Sequence, residues 1–389
     1  MTDMLRLDDD DRFQRLRLIP WWNQDGLLSA RVMVVGSGAL GNEVLKNLAL
    51  VGVGTIQIVD MDTIENSNLT RSTLFRLADV GKPKVRAAAD EVSRIHPNTN
   101  VIATQGNIIC DVGLGDFLAA DIILGCLDNR EARLWVNRCC WRVGRPWIDA
   151  GIQEIDGVVQ AFGARQSPCY ECGLKDIDYQ LIQLRHSCLH LSQDDLVLGR
   201  VPTSPTIASI VAGWQSQIAV KFLHDQKVHW GTALVVNGWQ ETMYRTDLPV
   251  KPECLSHDAW QVEMYLDDSQ RHQPVKQFLR SASLAFGLGK PAILLIEREF
   301  IESVQCPNCD EILPVRTHRW KVDSRVGTCQ RCNMPRVPKV LYRIEQDSEC
   351  SDLTLAELGI PAHDWVQVLC EEQLHVIGFK SPSQHVENG

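Results

Sequence analysis

No stretch of this 389-residue chain approaches the roughly 20 consecutive apolar residues that a membrane span requires. Residues 1–17 are charged from the start and lack the apolar core of a secretory signal. Positive charge is also short: 39 Lys and Arg stand against 49 Asp and Glu, a formal net charge of −10. A nucleic-acid binder normally needs a basic face, so this balance argues against one. No internal repeat is present. These absences predict a soluble cytoplasmic protein with neither membrane nor nucleic acid as partner. Its length fits two or three domains.

Cysteine, by contrast, is plentiful, with 14 in the chain. A secreted disulfide scaffold would be short, so the cysteines need another explanation. Six of them form three C-x-x-C pairs, Cys169/Cys172, Cys306/Cys309 and Cys329/Cys332. In a reducing compartment that spacing reads as zinc binding before it reads as disulfides.

The short apolar run at 31–36 and the segments 55–60, 101–104, 121–124 and 146–149 predict strands, and helices are predicted at 42–51 and 84–95 between them. Strands alternating with helices predict a Rossmann-like, doubly wound, mostly parallel α/β sheet. Residues 12–28 predict a helical arm, 151–164 a strand pair turning at Asp156-Gly157, 175–204 a long loop, and 206–223 a strong helix. Residues 234–237 predict another strand, and 245–252 a linker. The character changes near residue 258, predicting one domain over 1–258 and a C-terminal region over 259–389. The latter is expected to hold a zinc ribbon at about 300–337 and a small α/β tail. Its predicted elements are helices at 273–286 and 353–358 and strands at 292–304, 339–344, 365–370 and 374–379. Only the last ten residues or so predict disorder.

Gly36-Ser37-Gly38-Ala39-Leu40-Gly41 is a G-x-G-x-x-G at a strand-to-helix turn, with Asp60 ending the next strand. Gly36, Gly38 and Gly41 allow close backbone approach to a phosphate or ribose, the helix N-terminus favours an anion, and Asp60 suits ribose hydroxyls. Alone, the signal fits NAD-dependent enzymes, flavoproteins and ATP-binding adenylating enzymes. The following residues separate them. Asp62, Asn68, Arg71, Lys84 and Asp128 come in order after Asp60. A dinucleotide oxidoreductase has no need of cations so near the ribose acid, whereas a triphosphate does. Arg71 and Lys84 can neutralise phosphate oxygens, Asn68 can donate to them, and Asp128 can hold Mg²⁺.

From Arg12 to about His257 the chain resembles the ThiF/MoeB/ubiquitin-activating family of adenylating enzymes. The resemblance rests on Arg12-Phe13-Gln14-Arg15, Gly36 to Gly41, Val59 to Asp62, Ser67 to Arg71, Gly81 to Lys84, Asp128-Asn129 and Pro168 to Cys172, all in order. Ala39 and Ser72 stand where the family often has glycine and glutamine; neither departure removes a charge. The resemblance implies that Asp60 binds the ribose of ATP, that Asn68, Arg71 and Lys84 bind phosphates, and that Asp128 works through Mg²⁺. It also implies a homodimer in which Arg15 reaches the other subunit's ATP site.

The family places its second zinc pair where Cys254-Leu255-Ser256-His257 stands, so Cys169, Cys172, Cys254 and His257 are expected to hold one Zn²⁺. Cys306, Cys309, Cys329 and Cys332 have zinc-ribbon spacing and a closed, structural ligand set. Cys188 stands in an Arg- and His-containing stretch that favours a thiolate. The family resemblance makes it a candidate acyl acceptor, the alternative being a loop cysteine without a role.

The leading expectation is ATP-dependent adenylation of a ubiquitin-like (β-grasp) protein at its C-terminal carboxylate, with transfer to Cys188 and then to a conjugating enzyme. The runner-up is adenylation of a ThiS/MoaD-like sulfur carrier, with a sulfurtransferase as partner. A catalytically idle binding module and an NAD-dependent oxidoreductase follow.

Overall fold

The computed structural model describes residues 11–165, 168–187, 202–286, 289 and 291–380. The chain enters through a short 3₁₀ turn, Leu16–Leu18, and helix α1 (Gln24–Ser29), so the predicted arm is not one continuous helix. Pro20 and the Asn23 cap, whose side chain accepts from Gly26 N, divide it. Strand β1 (Arg31–Val35), α2 (Ala39–Val51), β2 (Thr55–Asp60), α3 (Lys84–Ile95) and β3 (Asn100–Gln105) follow. Next come α4 (Leu114–Ala119), β4 (Ile122–Gly125), α5 (Arg130–Val143) and β5 (Trp147–Gln153).

The chain then changes direction. Strand β6 (Asp156–Phe162) pairs antiparallel with β5. The turn falls at Glu154-Ile155, before the predicted Asp156-Gly157, because Glu154 takes the left-handed conformation at φ 53°. The predicted loop over 175–204 contains a helix, α6 (Asp176–Ser187), whose weak amphipathicity hid it. Its first turn carries Asp176 and Asp178, which suit the positive end of a helix. Helix α7 (Pro205–Leu223) starts at a Ser204 cap with Pro205 in its first turn. Strands β7 (Thr232–Asn237) and β8 (Thr242–Asp247) complete the first sheet, so the predicted linker opens as strand.

The eight-stranded order is β3-β2-β1-β4-β5-β6-β7-β8. The first five strands are parallel and the last three antiparallel. The order reverses between β1 and β4, the crevice where such sheets bind ligands at their carboxyl ends. Apolar side chains from α2, α3 and α7 cover one face, and α4 and α5 cover the other.

A second sheet is built from β9 (Met264–Leu266), β10 (Ala292–Gln305), β11 (Ile312–His318), β12 (Val337–Glu345), β13 (Trp365–Cys370) and β14 (Gln373–Phe379), with α8 (Val275–Phe286) packed on it. The predicted helix at 353–358 is a single turn, ended by Gly359 at φ 76°. Among the described residues no helix is long and apolar enough to cross a membrane.

Candidate active site

The glycine-rich turn is fixed by backbone geometry. Gly36 has φ 93°, and a Cβ there would lie 2.3 Å from the Cys126 carbonyl oxygen. One on Gly41 would lie 2.0 Å from the Gly36 oxygen. A Cβ on Gly38 would meet nothing within 4 Å, so this glycine faces open space. Gly38 caps α2 without a side-chain acceptor, leaving the helix N–H groups available to an anion.

Asp60 is tied into the fold by its own hydrogen bonds. One of its oxygens accepts from Ser37 N at 2.7 Å and Ser37 Oγ at 2.9 Å, and the other from Asp62 N at 2.9 Å. Burial raises its pKa against the pull of Lys84. The 81–84 segment pairs back onto 62–64 through Ile64 N to Lys82 O (2.8 Å) and Lys84 N to Asp62 O (3.0 Å). This brings Lys84 Nζ within 2.7 Å of Asp62 Oδ2. Burial would lower the Lys84 pKa, but Asp60, Asp62 and Asp128 outweigh it and hold it up. The fold thus gathers Asp60, Asp62, Lys84 and Asp128, which are spread over 69 positions of sequence, around one cation.

Asp128 is exposed on the loop after β4, and among the described residues its side chain accepts one hydrogen bond, from Asn129 Nδ2 at 3.2 Å. Asn129 in turn caps α5 by accepting from Ala132 N at 2.8 Å. Asn68 Oδ1 accepts from Glu65 N at 3.0 Å, which shapes the loop carrying Arg71. The Arg71 side chain makes no ion pair or hydrogen bond among the described residues. An uncompensated cation, an open helix N-terminus and an exposed carboxylate suit a magnesium–triphosphate complex, and Asp128 is the group that could hold the metal.

Arg15 lies elsewhere on its own chain. Its neighbour Phe13 packs on His96, and a Cβ on Gly52 would touch the Phe13 ring at 2.5 Å. Both contacts lie at the amino end of β2, about 17 Å of strand from Asp60. Arg15 is exposed and unpaired among the described residues. Cys188 lies outside the described residues, directly after α6 in sequence. Asp178 of α6 pairs with Arg130 at 2.9 Å, which ties this helix beside the Asp128 loop.

Sequence reasoning missed three supporting groups. Buried Asn42 donates to Ser37 O at 2.6 Å and Gly38 O at 3.0 Å, and accepts from Leu74 N at 2.8 Å. It joins the glycine turn to the segment carrying Arg71. An asparagine in the first turn of an apolar helix was the available signal. Arg133 donates to the Leu127 and Ala150 carbonyls and pairs with buried Asp149 at 3.0 Å, and burial pushes Asp149 up to about 6. Gln215 donates from α7 to Gly125 O at 2.9 Å and Ile148 O at 2.8 Å, bridging β4 and β5. Asn42→Ala is expected to lower unfolding free energy by about 2–4 kcal/mol, because it strands two buried polar groups, Ser37 O and Leu74 N. Urea denaturation measures this.

The expected metal ligands converge as two sets of four, each with all ligand atoms within 4.8 Å of one another. Cys169 Sγ lies 3.7 Å from Cys172 Sγ and 3.5 Å from Cys254 Sγ, and His257 Nε2 lies 3.4 Å from Cys172 Sγ. In the second set Cys306–Cys332 is 3.3 Å and Cys309–Cys329 is 3.6 Å. Zn–S bonds of about 2.3 Å in a tetrahedron place sulfurs about 3.8 Å apart, so both sets fit zinc. Buried Glu171 supports the first set, accepting from Arg138 and Tyr179 at 3.0 Å each and from Ser256, while Trp141 stacks on His257 at 3.9 Å.

The sequence pattern of the ThiF family matches residues 11–256. The molybdopterin-synthase adenylyltransferase of Salmonella typhimurium is 35% identical over 175 residues, covering 43% of this chain and 70% of that protein. The SUMO-activating enzyme subunit uba-2 of Caenorhabditis elegans is 36% identical over 157 residues, covering 40% of this chain but only 27% of that protein. Among solved structures, Escherichia coli MccB in its complex with succinimide superposes with a TM-score of 0.52 at 25% identity, covering 64% of this chain and 75% of that one.

Proposed function

The chain belongs to the ThiF family, and on that premise we propose that it activates the C-terminal carboxylate of a small β-grasp protein with ATP. The observation that carries this reading is the gathering of Asp60, Asp62, Lys84 and Asp128 around the carboxyl ends of β1, β2 and β4, beside the open start of α2. A carboxylate is a poor electrophile. Its oxygen attacks the α-phosphorus of ATP, forming an acyl–phosphate bond, and the bond to the pyrophosphate oxygen breaks. Lys84, Arg71 and the N–H groups at the start of α2 neutralise the charge that shifts onto the leaving group, and Asn68 and Asp60 orient the nucleotide. Asp128 would hold Mg²⁺, which when bound supplies further charge neutralisation. Arg15 acts across a homodimer interface, its distance from its own Asp60 supporting a role in the partner's site. Residues 1–258 form the adenylation domain and 259–389 a zinc-bearing accessory region of a cytoplasmic enzyme.

In this reading Cys188 then takes the acyl group and passes it to a conjugating-enzyme-like protein. The similarity to a protein named as a sulfur carrier protein adenylyltransferase, from Thermus thermophilus, supports the alternative, activation of a sulfur carrier. ATP–pyrophosphate exchange that requires a β-grasp protein tests the shared step. Cys188→Ala is expected to leave exchange within twofold of wild type and to remove a thiol-labile adduct between enzyme and carrier. An adduct that persists in Cys188→Ala places the acceptor elsewhere. Exchange without any adduct in the wild type favours direct transfer to another protein's sulfur.

A further inference from the structure

The turn beyond β3 lies against the ribose-binding acid. Gln105 is the register partner of Asp60, and Gly106 N donates to Asp60 O at 3.1 Å. Residues 106–111 then close on themselves, with Asp111 Oδ2 accepting from Asn107 N at 2.8 Å. A Cβ on Gly106 would lie 2.8 Å from the Asp111 Cβ, so the turn has no slack.

This turn is held from outside the family-matched region. Arg298, buried on β10, donates to Ile109 O at 2.7 Å and Val112 O at 3.2 Å, and its third nitrogen pairs with buried Asp364. The other Asp364 oxygen accepts from Leu114 N at 2.9 Å, and His363 O accepts from Gly115 N at 2.7 Å. Lys321, between the two cysteine pairs of the ribbon, reaches Asp111 Oδ1 at 2.6 Å. Without residues 298, 321 and 364, two carbonyls, an amide and a carboxylate oxygen of 109–114 would lose their partners. Elsewhere on the same interface Arg142 grips Glu297 through two bonds of 2.5 and 2.6 Å, without touching the turn.

We propose that Arg298 and Lys321 are positioning residues for the nucleotide site: the C-terminal region clamps the 106–114 turn and thereby sets the affinity for ATP at Asp60. The inference rests on the adenylation reading above. It gives the accessory region a role in nucleotide binding, since whatever shifts the ribbon moves a residue that latches the turn.

Calorimetric binding of Mg–ATP to the full-length, zinc-loaded protein tests it. Lys321 is half exposed, so Lys321→Met is expected to fold normally and to weaken ATP binding about threefold. The difference from wild type should vanish near 0.5 M NaCl, where exposed pairs are screened. Asp111→Asn combined with Lys321→Met should cost little more than either change alone. Arg298→Lys keeps the charge beside Asp364 but loses the fork, and should weaken ATP binding at least tenfold. Arg142→Met, which loosens the same interface away from the turn, should bind ATP within 1.5-fold of wild type. A purely structural clamp would instead make Arg142→Met fall with the others, and that result overturns the inference. So does wild-type affinity in folded Lys321→Met and Arg298→Lys. Wild-type protein that binds no ATP overturns the adenylation reading itself, and this inference with it.

Discussion

Asp128→Ala is expected to lower ATP–pyrophosphate exchange by about 10³-fold or more while leaving the fold intact. The side chain is exposed and its one hydrogen bond, from Asn129 Nδ2, is with its sequence neighbour. Losing it therefore removes little packing, and the melting temperature should stay within about 2 °C. Its electrostatic loss is large. Asp128 helps hold the Lys84 pKa up, so it belongs to the same charge cluster that would receive the triphosphate. With the carboxylate gone, a metal–triphosphate complex loses the group that fixes it relative to the start of α2. Arg15→Ala should fail as severely for a different reason. In the proposed reading its site of action is on the other protomer, in keeping with the roughly 17 Å of β2 that separates the arm's packing from its own Asp60. Mixing the two inactive proteins under subunit exchange should restore activity, at most one competent site per mixed dimer. Full exchange activity in Asp128→Ala would remove that residue from the mechanism, and mixtures that stay inactive would confine Arg15 to its own chain.

The family-matched part was legible because its candidate site is written locally. Asp60 ends the second strand, the glycines sit at one turn, and the other candidate groups follow β2 or β4 in the loops or at the start of the next helix. The strand periodicity placed β1 to β5 within a few residues, because buried parallel strands read as apolar runs. What stayed hidden depends on contacts distant in sequence. Arg298 looks like one more charge in β10, yet it is buried only because Ile109, Val112 and Asp364, up to 189 positions away, converge on it. Asn42 likewise gains its meaning from Leu74. Helix α6 was read as loop because its polar and apolar residues form no strong stripe; Arg130, Glu171 and their partners hold it instead. In the two cysteine clusters the reverse holds: C-x-x-C spacing named six of the candidate ligands and the family resemblance pointed to Cys254 and His257, and all eight converge in two sets, since each such motif puts two donors on one tight turn.

The two candidate zinc sites should fail differently. Cys329→Ser is expected to cut bound zinc from about two equivalents to about one and to open the second sheet locally. The ribbon has little core beneath it: Ile312, Met334 and Val337 are exposed, and the buried side chains at its tip include Cys306 and Cys329 themselves. Both turns rely on matching bonds, Asp310 N to Cys306 O at 3.0 Å and Asn333 N to Cys329 O at 2.9 Å, with Asp310 and Asn333 in the left-handed conformation. Metal binding, on the order of 10 kcal/mol for small zinc modules, outweighs the cost of holding these turns; four close thiols without metal do not. Hydrogen exchange should therefore show β11 and the start of β12 losing protection while β1 to β5 keep theirs. Cys254→Ser should also cost one zinc but open less. Trp141 still stacks on His257, and Glu171 still accepts from Arg138, Tyr179 and Ser256. Its exchange signature should be confined to 169–178 and 250–258. Two equivalents of zinc in both purified variants would mean that neither thiol is a required ligand. Equal, global loss of protection in both would mean instead that the two sites stabilise one cooperative unit, and that the second sheet does not open independently of the first.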